Sequence, residues 1–321
     1  MKTGAGFSDN SPCVATIGFF DGVHRGHRCL IDQVRSLAAA RGLPSAAVTF
    51  PVHPRKVMQQ GFCPELLTTC DEKVALLAAA GIDRCVMLDF TPQLALLSAR
   101  RFMALLKERY GIVALVIGYD HRFGHNRSEG FDDYVRYGAE LGIEVVQARA
   151  FSDMEEGAGA GLPCGEVSSS CIRQLLRRGD VSDAARCLGY DYFLQGTVVG
   201  GYRVGHTLGF PTANLRVDDA DKLVPADGVY AVRVAVDGQT RGGMLSIGFR
   251  PTLANGADRS IEVYIFDFRA NIYRRPLRLS FVSRVRDELK FASLDELVAQ
   301  LRKDEETVRR ILNSDGNGRL V

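Results

Sequence analysis

Two histidines flank a glycine at the start of a predicted helix, in the segment His24-Arg25-Gly26-His27. Directly before them, Gly18-Phe19-Phe20-Asp21-Gly22 follows an apolar run, and its glycines allow a backbone to approach a ligand closely. A helix start offers free N–H groups and the positive end of a dipole to phosphate. Two imidazoles there can both face an anion and stabilise the charge that builds up on a triphosphate. The spacing differs from the P-loop and from GxGxxG, and it predicts a nucleotide-transfer site.

Two further segments carry groups suited to phosphate. Gly118-Tyr119-Asp120-His121-Arg122-Phe123-Gly124 ends a predicted strand, so it should face the same crevice; Asp120 is a candidate for metal or ribose and Arg122 for phosphate. Ser168-Ser169-Ser170-Cys171-Ile172-Arg173 places hydroxyls and an arginine at another helix start. By pattern alone, the first segment is also an ordinary loop, and serine caps explain the second equally well.

The second half of the chain offers a different set of oxygen atoms. Thr212 and Asn214 follow Pro211 in an extended segment, where residues two apart project to the same side. A hydroxyl and an amide oxygen there can ligate Mg²⁺. Glycines around a predicted strand, Gly196 and Gly205 among them, give a loop that can approach phosphate. The alternative is a turn in a barrel.

Glu262 is the candidate general base. It alternates with Tyr264, Phe266 and Phe268 on one face of a predicted strand, and a carboxylate on a largely aromatic face needs a partner or a function. A base there could take the proton of an attacking hydroxyl. The alternative is that Glu262 lies in water at the rim of a barrel.

The elements that must position these residues change character along the chain. Up to about residue 150, strands and helices alternate, which predicts a parallel sheet covered by helices on both faces and ligands at the carboxyl ends of its strands. After about Gly189, short strands separated by turns predict a small antiparallel barrel, with Asp237-Gly238 as a hairpin turn. Ser293 and Glu296 predict the start of a final amphipathic helix. The expected division is residues 1–186 and 187–321.

Within these halves, the pattern predicts the following helices and strands, given in chain order: Val14–Phe20, Cys29–Arg41, Ala46–Phe50, Lys73–Ala80, Cys85–Leu88, Ala99–Tyr110, Ile112–Ile117, Asp132–Leu141, Ile143–Gln147, Cys171–Arg178, Ser182–Leu188, Phe193–Val199, Val229–Val236, Gly243–Gly248, Ile261–Phe268 and Leu277–Val282.

Composition excludes several classes of protein. The chain of 321 residues is 46% hydrophobic and 24% charged, which is ordinary globular usage. A net charge of +2 without charge blocks argues against nucleic-acid and membrane partners. The polar segment Met1–Pro12 predicts neither a signal peptide nor a transit peptide, hence a cytosolic protein. Eight cysteines without metal spacing predict neither zinc nor a disulfide framework.

Taken together, GFFDGVHRGH, GYDHRFG and SSSCIR resemble the bacterial bifunctional riboflavin kinase and FAD synthetase family. The resemblance implies an amino-terminal Rossmann-like HxGH adenylyltransferase in which FMN attacks the α-phosphorus of ATP and pyrophosphate leaves. Thr49–Arg55 resembles the flavin-side segment, His121 stands where the family has an aromatic residue, and Ser170 where it commonly has threonine. The residues implied for ATP are Gly18, Phe19, Asp21, His24, His27, Asp120, Arg122, Ser168, Ser170 and Arg173, with His53 and Arg55 for flavin and Asp120 for metal.

GFPTAN and the segment around Glu262 resemble the riboflavin kinase module of the same family. The resemblance implies that Glu262 activates the ribityl 5′-hydroxyl and that the γ-phosphoryl group transfers directly from ATP. Arg286 would contact flavin. The residues implied for ATP are Gly196, Gly205, Pro211, Thr212 and Asn214, with Thr212 and Asn214 also on Mg²⁺.

The sequence therefore predicts an enzyme that makes FMN from riboflavin and then FAD from FMN, using ATP twice. One alternative is an HxGH transferase for another substrate, which has no reason to carry PTAN and Glu262. Another is a flavin-binding regulator or storage protein, which would have lost the groups that do chemistry. The sequence leaves the oligomeric state open.

Overall fold

The computed structural model describes residues 2–3, 10–58, 64–119, 121–151, 163, 166–200, 208–249 and 259–316. The chain forms two compact units, Met1–Gly161 with Gly165–Ser169, and Leu162–Cys164 with Ser170–Val321. Among the described residues, no helix has the length and apolar character required to cross a membrane.

The first unit is built on a parallel sheet with the strand order β1-β4-β3-β2-β5-β6. Its strands are β1 (Lys2–Thr3), β2 (Cys13–Ile17), β3 (Ser45–Thr49), β4 (Arg84–Met87), β5 (Ile112–Ile117) and β6 (Glu144–Gln147). Its helices are α1 (Arg25–Ala40), α2 (Pro54–Val57), α3 (Cys70–Ala79), α4 (Pro92–Ala95), α5 (Ala99–Tyr110) and α6 (Phe131–Leu141), with a 3₁₀ turn at His125–Arg127.

Helices cover both faces of this sheet, which confirms the predicted architecture. Alternate residues of the central strands point to opposite faces. Ala15 and Ile17 pack with Phe102 and Met103 of α5, whereas Val14 packs with residues of α1. Because both faces are buried, the central strands read as continuous apolar runs.

The second unit is a closed antiparallel barrel with the strand order β10-β11-β8-β7-β12-β9. Its elements are the helices α7 (Ser169–Arg178) and α8 (Val181–Leu188), the strands β7 (Phe193–Val199), β8 (Thr212–Val217), β9 (Gly228–Val236), β10 (Gln239–Phe249), β11 (Arg259–Ile265) and β12 (Pro276–Arg286), and the helix α9 (Leu294–Ser314). Apolar residues of α9, such as Val308, pack on the outer face of the barrel.

In the barrel unit, the structure confirms the predicted hairpin turn and the predicted start of the last helix. Asp237 and Gly238 have φ angles of 50° and 74° and join β9 to β10, as a tight hairpin turn requires. The Ser293 hydroxyl accepts a hydrogen bond from the Glu296 N–H, while the Glu296 carboxylate accepts from Ala292 instead of completing the predicted box.

Some elements differ from the prediction. The strand expected to reach Phe268 ends at Ile265, and β8 was expected only as an extended segment. The short helices α2 and α4 begin with Pro54 and Pro92, each behind a residue whose side chain caps the helix. Cys171 is disulfide-bonded, which differs from the expectation of reduced thiols, whereas Cys13, Cys29, Cys70, Cys85 and Cys187 are free.

Candidate active sites

The loop before the two histidines is held in an unusual backbone conformation. Phe20, Gly22 and Val23 have positive φ angles of 54°, 81° and 38°. Such angles are costly for phenylalanine and valine and persist only where the surroundings enforce them. Both side chains are buried, which provides that enforcement. The loop therefore enters α1 with a fixed shape.

His24 and His27 lie together at the start of α1. Their rings stack with centroids 3.7 Å apart and planes inclined by 18°. Nδ1 of His24 accepts a hydrogen bond of 3.3 Å from the His27 N–H and so caps the helix. A Cβ on Gly26 would stand 3.3 Å from the His24 ring, so glycine leaves room for the imidazole. Because Nδ1 is the acceptor, neutral His24 carries its proton on Nε2.

The electrostatics of this pair favour an uncharged His27. Burial lowers the pKa of His27 well below its ordinary value, and the positive charges of His24, His121 and Lys73 lower that pKa further. Nδ1 of His27 is buried and makes no hydrogen bond within the described residues. The lowered pKa favours a neutral His27 imidazole, and a negative charge placed beside it would raise that pKa again.

Asp21 is buried and accepts hydrogen bonds from the protein itself. Its side chain is 3% exposed, and its carboxylate accepts hydrogen bonds from the N–H groups of Leu67 and Thr68 at 3.0 Å and from the Thr68 hydroxyl at 3.2 Å. The Thr68 hydroxyl in turn accepts from the Gly22 N–H. The Asp21 carbonyl oxygen accepts from the Ser169 hydroxyl. Asp21 thus anchors the loop to the segment that leads into α3.

A cavity of about 460 Å³ opens at the carboxyl edge of the sheet. Its size is that of a ligand pocket, and it lies at the edge where the sequence predicts ligands to bind. One part of the lining is apolar, and another carries the side chains of arginine and histidine. The apolar part includes Ile17, Phe50, Phe90, Leu94, Leu97, Phe102 and Phe123, and the basic part Arg55, His121, Arg122, His125 and Arg127. This mixture suits a flat aromatic ligand that bears a phosphate.

His53 lies beside this cavity at the start of α2. Its Nδ1 accepts a hydrogen bond of 3.1 Å from the Arg55 N–H. The centroids of the His53 and Phe19 rings lie 4.6 Å apart with their planes inclined by 70°. The segment after β3 therefore contacts the loop that precedes the histidine pair. This brings the residues expected for flavin and those expected for ATP into one neighbourhood.

In the barrel unit, Thr212 and Glu262 lie in direct contact. The Thr212 hydroxyl donates to Oε2 of Glu262 over 3.2 Å. In the pairing of β8 with β11, Asn214 stands opposite Glu262 and Thr212 opposite Tyr264. Thr212, Asn214 and Glu262 therefore share one face of the barrel wall. These oxygen atoms are of the kind that a hard divalent cation prefers.

Thr212, Asn214 and Pro211 also line a cavity of about 820 Å³, together with Gly200 and residues of the connection between β11 and β12. Gly196 lies in β7, where an added Cβ would stand only 2.0 Å from the carbonyl oxygen of Arg216. Glycine at this position is thus required for the close approach of β7 to β8.

Arg286 is committed to an ion pair at the end of β12. Its Nε and Nη2 lie 2.9 and 2.7 Å from Oδ2 of Asp304, a buried carboxylate of α9. Oδ1 of Asp304 accepts from Gln300 at 2.7 Å. The guanidinium therefore fixes α9 against the barrel.

Comparison with known proteins accounts for both units. The family model described as FAD synthetase matches residues 7–158, and that described as riboflavin kinase matches residues 188–312. A bifunctional riboflavin kinase/FMN adenylyltransferase of Listeria monocytogenes is 36% identical over 92% of this chain and 91% of its own length. The protein with the same name from Escherichia coli K12 is 35% identical, covering 92% of each chain.

The chain belongs to the bifunctional riboflavin kinase/FMN adenylyltransferase family. A solved structure from Streptococcus pneumoniae, titled a macrolide-efflux protein, matches with a TM-score of 0.83 and 33% identity over 93% of this chain and 94% of that one. That match supports the fold over 93% of this chain. The transport role in its title has no counterpart in the names of the sequence relatives.

The structure brings together many of the residues predicted for the adenylyltransferase module of this family. Gly18, Phe19, His24 and His27 share one loop and helix start, and Arg122 lines the adjoining cavity. Ser168 precedes α7 in the first unit, whereas Ser170 and Arg173 belong to the second. Asp120 and Gly205 lie outside the described residues.

Sequence reasoning missed other residues of these sites. Phe90, His125 and Arg127 line the first cavity, and Lys73 contacts Phe19 behind it. The basic side chains close to GYDHRFG are a signal that was available, since cations beside a predicted phosphate site favour binding. For Phe90, the sequence carries no such signal.

Proposed function

We propose that this chain phosphorylates riboflavin to FMN in its barrel unit and adenylylates FMN to FAD in its sheet unit. One observation supports this most strongly: two family models with these two activities match separate parts of one chain, and each part holds its own cluster of polar groups. ATP is the co-substrate of both steps. Riboflavin, FMN and ATP are the proposed small-molecule partners, and FAD is the final product.

For the kinase step, we propose that Glu262 accepts the proton of the ribityl 5′-hydroxyl as that oxygen attacks the γ-phosphorus of ATP. The O–P bond to the new phosphate ester forms while the bond to ADP breaks. The hydrogen bond from Thr212 orients the Glu262 carboxylate. Pro211, Thr212 and Asn214 are proposed to line the ATP side, with Gly196 shaping the strand beneath it.

The residues fit Mg²⁺ as an ion that arrives with ATP. Among the described residues, no group of three or more His, Cys, Asp or Glu side chains converges as a metal site. The Thr212 hydroxyl and the Asn214 amide oxygen would hold the ion together with phosphate oxygens. When bound, Mg²⁺ supplies charge neutralisation on the phosphates.

For the adenylyl transfer, we propose that a phosphate oxygen of FMN attacks the α-phosphorus of ATP in line and expels pyrophosphate. No covalent enzyme intermediate is involved, so catalysis rests on positioning and on stabilising the charge of the transferring group. His24 would donate from Nε2 and His27 from its imidazole to the triphosphate. Arg122, Ser168, Ser170 and Arg173 are proposed to bind ATP as well, and Asp120 to bind metal.

We propose that the 460 Å³ cavity binds the flavin of FMN. The rings of Phe50 and Phe90, 5.4 Å apart, offer apolar surface for the isoalloxazine, and Arg55 offers charge. His53 positions Arg55 through its cap. Asp21 is proposed to hold the loop, and Arg286 is proposed to border the flavin of the kinase module while held by Asp304.

The boundary between modules remains our proposal at residues 186 and 187. We also propose a cytosolic location, where ATP is abundant, and partners that include neither nucleic acid nor a membrane.

The test is to incubate the purified chain with riboflavin, ATP and MgCl₂ and to separate riboflavin, FMN and FAD over time. The proposal expects FMN first and FAD afterwards. FMN without FAD would refute the role of the sheet unit. No conversion, with FMN supplied as well, would refute both roles and favour a flavin-binding protein.

A further inference from the structure

Lys73 is a buried lysine for which the proposed chemistry has no use. It lies in the first half of α3 and is 2% exposed. Lysine is almost never fully buried in proteins unless its ammonium group has partners. Burial lowers the pKa of Lys73, which expresses the cost of keeping a charge there.

The partners of this ammonium belong to two different segments. Nζ of Lys73 donates to the carbonyl oxygen of Phe50 over 2.7 Å, at the point where β3 ends and the cavity wall begins. The same atom stands 4.1 Å from the centre of the Phe19 ring, within the range of a cation–π contact. Phe19 belongs to the loop before the histidine pair, and its ring meets the His53 ring. One charge thus contacts the loop expected for ATP and the segment expected for flavin.

The start of α3, the helix that carries Lys73, is held in place by hydrogen bonds. Thr69 and Glu72 form a capping box at the start of α3, with hydrogen bonds in both directions. Just before it, the amides of Leu67 and Thr68 bind the Asp21 carboxylate. Because these hydrogen bonds hold the start of α3 against the loop that contains Asp21, the fold fixes the position of the Lys73 ammonium.

We propose that Lys73 is a positioning residue that holds the Gly18–His24 loop and the Phe50–Arg55 segment at a fixed separation for adenylyl transfer. This inference rests on the proposed function of the sheet unit. In-line attack requires the FMN phosphate and the α-phosphorus to meet within a narrow range of distance and angle. An apolar side chain of similar length would fill the same volume without the cost of burying a charge. The charge is therefore better explained by the two contacts it makes than by packing.

The test compares Lys73→Met, which keeps the length and removes the ammonium, with Lys73→Arg, which keeps a cation and a donor. A misplacement of about 1 Å costs about 100-fold in rate, so Lys73→Met should lower kcat for FMN adenylylation by about that factor. The KM values for ATP and FMN should change by less than about threefold, because the groups that touch the substrates remain. Lys73→Arg keeps a cation for the Phe19 ring and a donor for the Phe50 carbonyl oxygen, so its kcat should lie at least about tenfold above that of Lys73→Met.

Riboflavin kinase activity of the same chain reports on folding and should stay unchanged in both variants. Lys303→Met makes the same chemical change at an exposed position of α9 and should leave both activities unaltered. A double-mutant cycle with Phe19→Leu adds a second readout. If the charge acts through the ring, the two losses should not add, whereas independent structural damage would give additive losses.

A kcat for Lys73→Met within about threefold of the unaltered chain would overturn the inference while leaving the proposed function intact. Additive losses in the cycle, or an Arg variant as impaired as the Met variant, would overturn it too. If the unaltered chain makes no FAD from FMN and ATP, the proposed function itself is refuted. Should Lys73→Met also lose kinase activity, Lys73→Arg decides. Intact kinase activity with an adenylylation kcat within about tenfold of the unaltered chain supports the inference, and intact kinase activity with a kcat lowered by about 100-fold refutes it.

Discussion

Replacing Asp21 should destabilise the sheet unit and spare the barrel unit. The carboxylate is buried and accepts from the backbone N–H groups of Leu67 and Thr68. Asp21→Ala leaves both donors without this partner, and a buried unsatisfied donor costs about 1–3 kcal/mol. The expected loss is therefore about 4 kcal/mol. Asp21→Asn keeps one acceptor oxygen but replaces charge-assisted hydrogen bonds by neutral ones. The expected loss of stability is about 1 kcal/mol for each bond, or about 2 kcal/mol in total.

These losses in the free energy of unfolding predict shifts in the melting temperature of the sheet unit. For a domain of 150–250 residues, 1 kcal/mol corresponds to about 2–4 °C in Tm. Asp21→Asn should therefore lower the transition of the sheet unit by about 4–8 °C, and Asp21→Ala by on the order of 10 °C. The assay heats one sample, cools it and measures FMN adenylylation and riboflavin phosphorylation separately. The temperature of half-inactivation should fall for the first activity alone.

The matched control is Asp32→Asn, since the Asp32 side chain is 65% exposed and pairs with an exposed arginine. Such surface pairs contribute about 0–1 kcal/mol, so its curve should follow that of the unaltered chain. Equal half-inactivation temperatures for Asp21→Ala and Asp32→Asn would refute the anchoring role. A purely catalytic loss, with rates lowered and heat inactivation unchanged, would instead support Asp21 as a ligand of ATP.

Three further predictions concern the proposed catalytic groups. Glu262→Gln should abolish FMN formation and leave the adenylylation of supplied FMN intact; equal loss of both activities would argue against Glu262 as the base. His24→Ala combined with His27→Ala should have the reverse effect, and unimpaired FAD synthesis would contradict that role. The pKa of His27 is lowered in the folded chain, so below about pH 6.5 the unfolded chain binds a proton that the folded chain does not. The free energy of unfolding should therefore fall as the pH drops below about 6.5, by up to about 1.4 kcal/mol per pH unit. His27→Gln should flatten that slope in pH-dependent unfolding, and an unchanged slope would show that His27 is not its source.

The sequence predicts the elements of this fold wherever the signal is local. The αL geometry at Asp237 and Gly238 follows from residue type, as does the cap at Ser293. Strand β8 is different: Thr212–Val217 alternates polar with apolar residues, as a strand does, but it directly follows Pro211, and the motif there predicts only an extended segment. Its pairing with β7 and β11 is what makes it a strand, and that pairing is a property of the closed barrel.

The candidate sites show the same division between local and long-range information. His24, His27, Thr212 and Glu262 were identified because the chemistry resides in the residue types and their spacing. The roles of Asp21 and Arg286 could not be separated in this way. A carboxylate beside a glycine-rich loop is as fit to bind a ligand as to bind backbone amides. For Asp21, those amides lie 46 residues away along the chain.

Burial decides between the two roles of such a charge. A side chain that must exchange water for ligand at each turnover has to remain reachable, whereas a charge in a low-dielectric interior is stable only with permanent partners. Asp21, Lys73 and Asp304 are each nearly inaccessible, and each has a partner on a distant segment. Glu262 is half-buried and its strand borders an open cavity. Asp21, Lys73 and Asp304 therefore define distances within each site, whereas Glu262 carries the chemistry, so their mutations should separate into losses of stability or positioning and loss of the reaction itself.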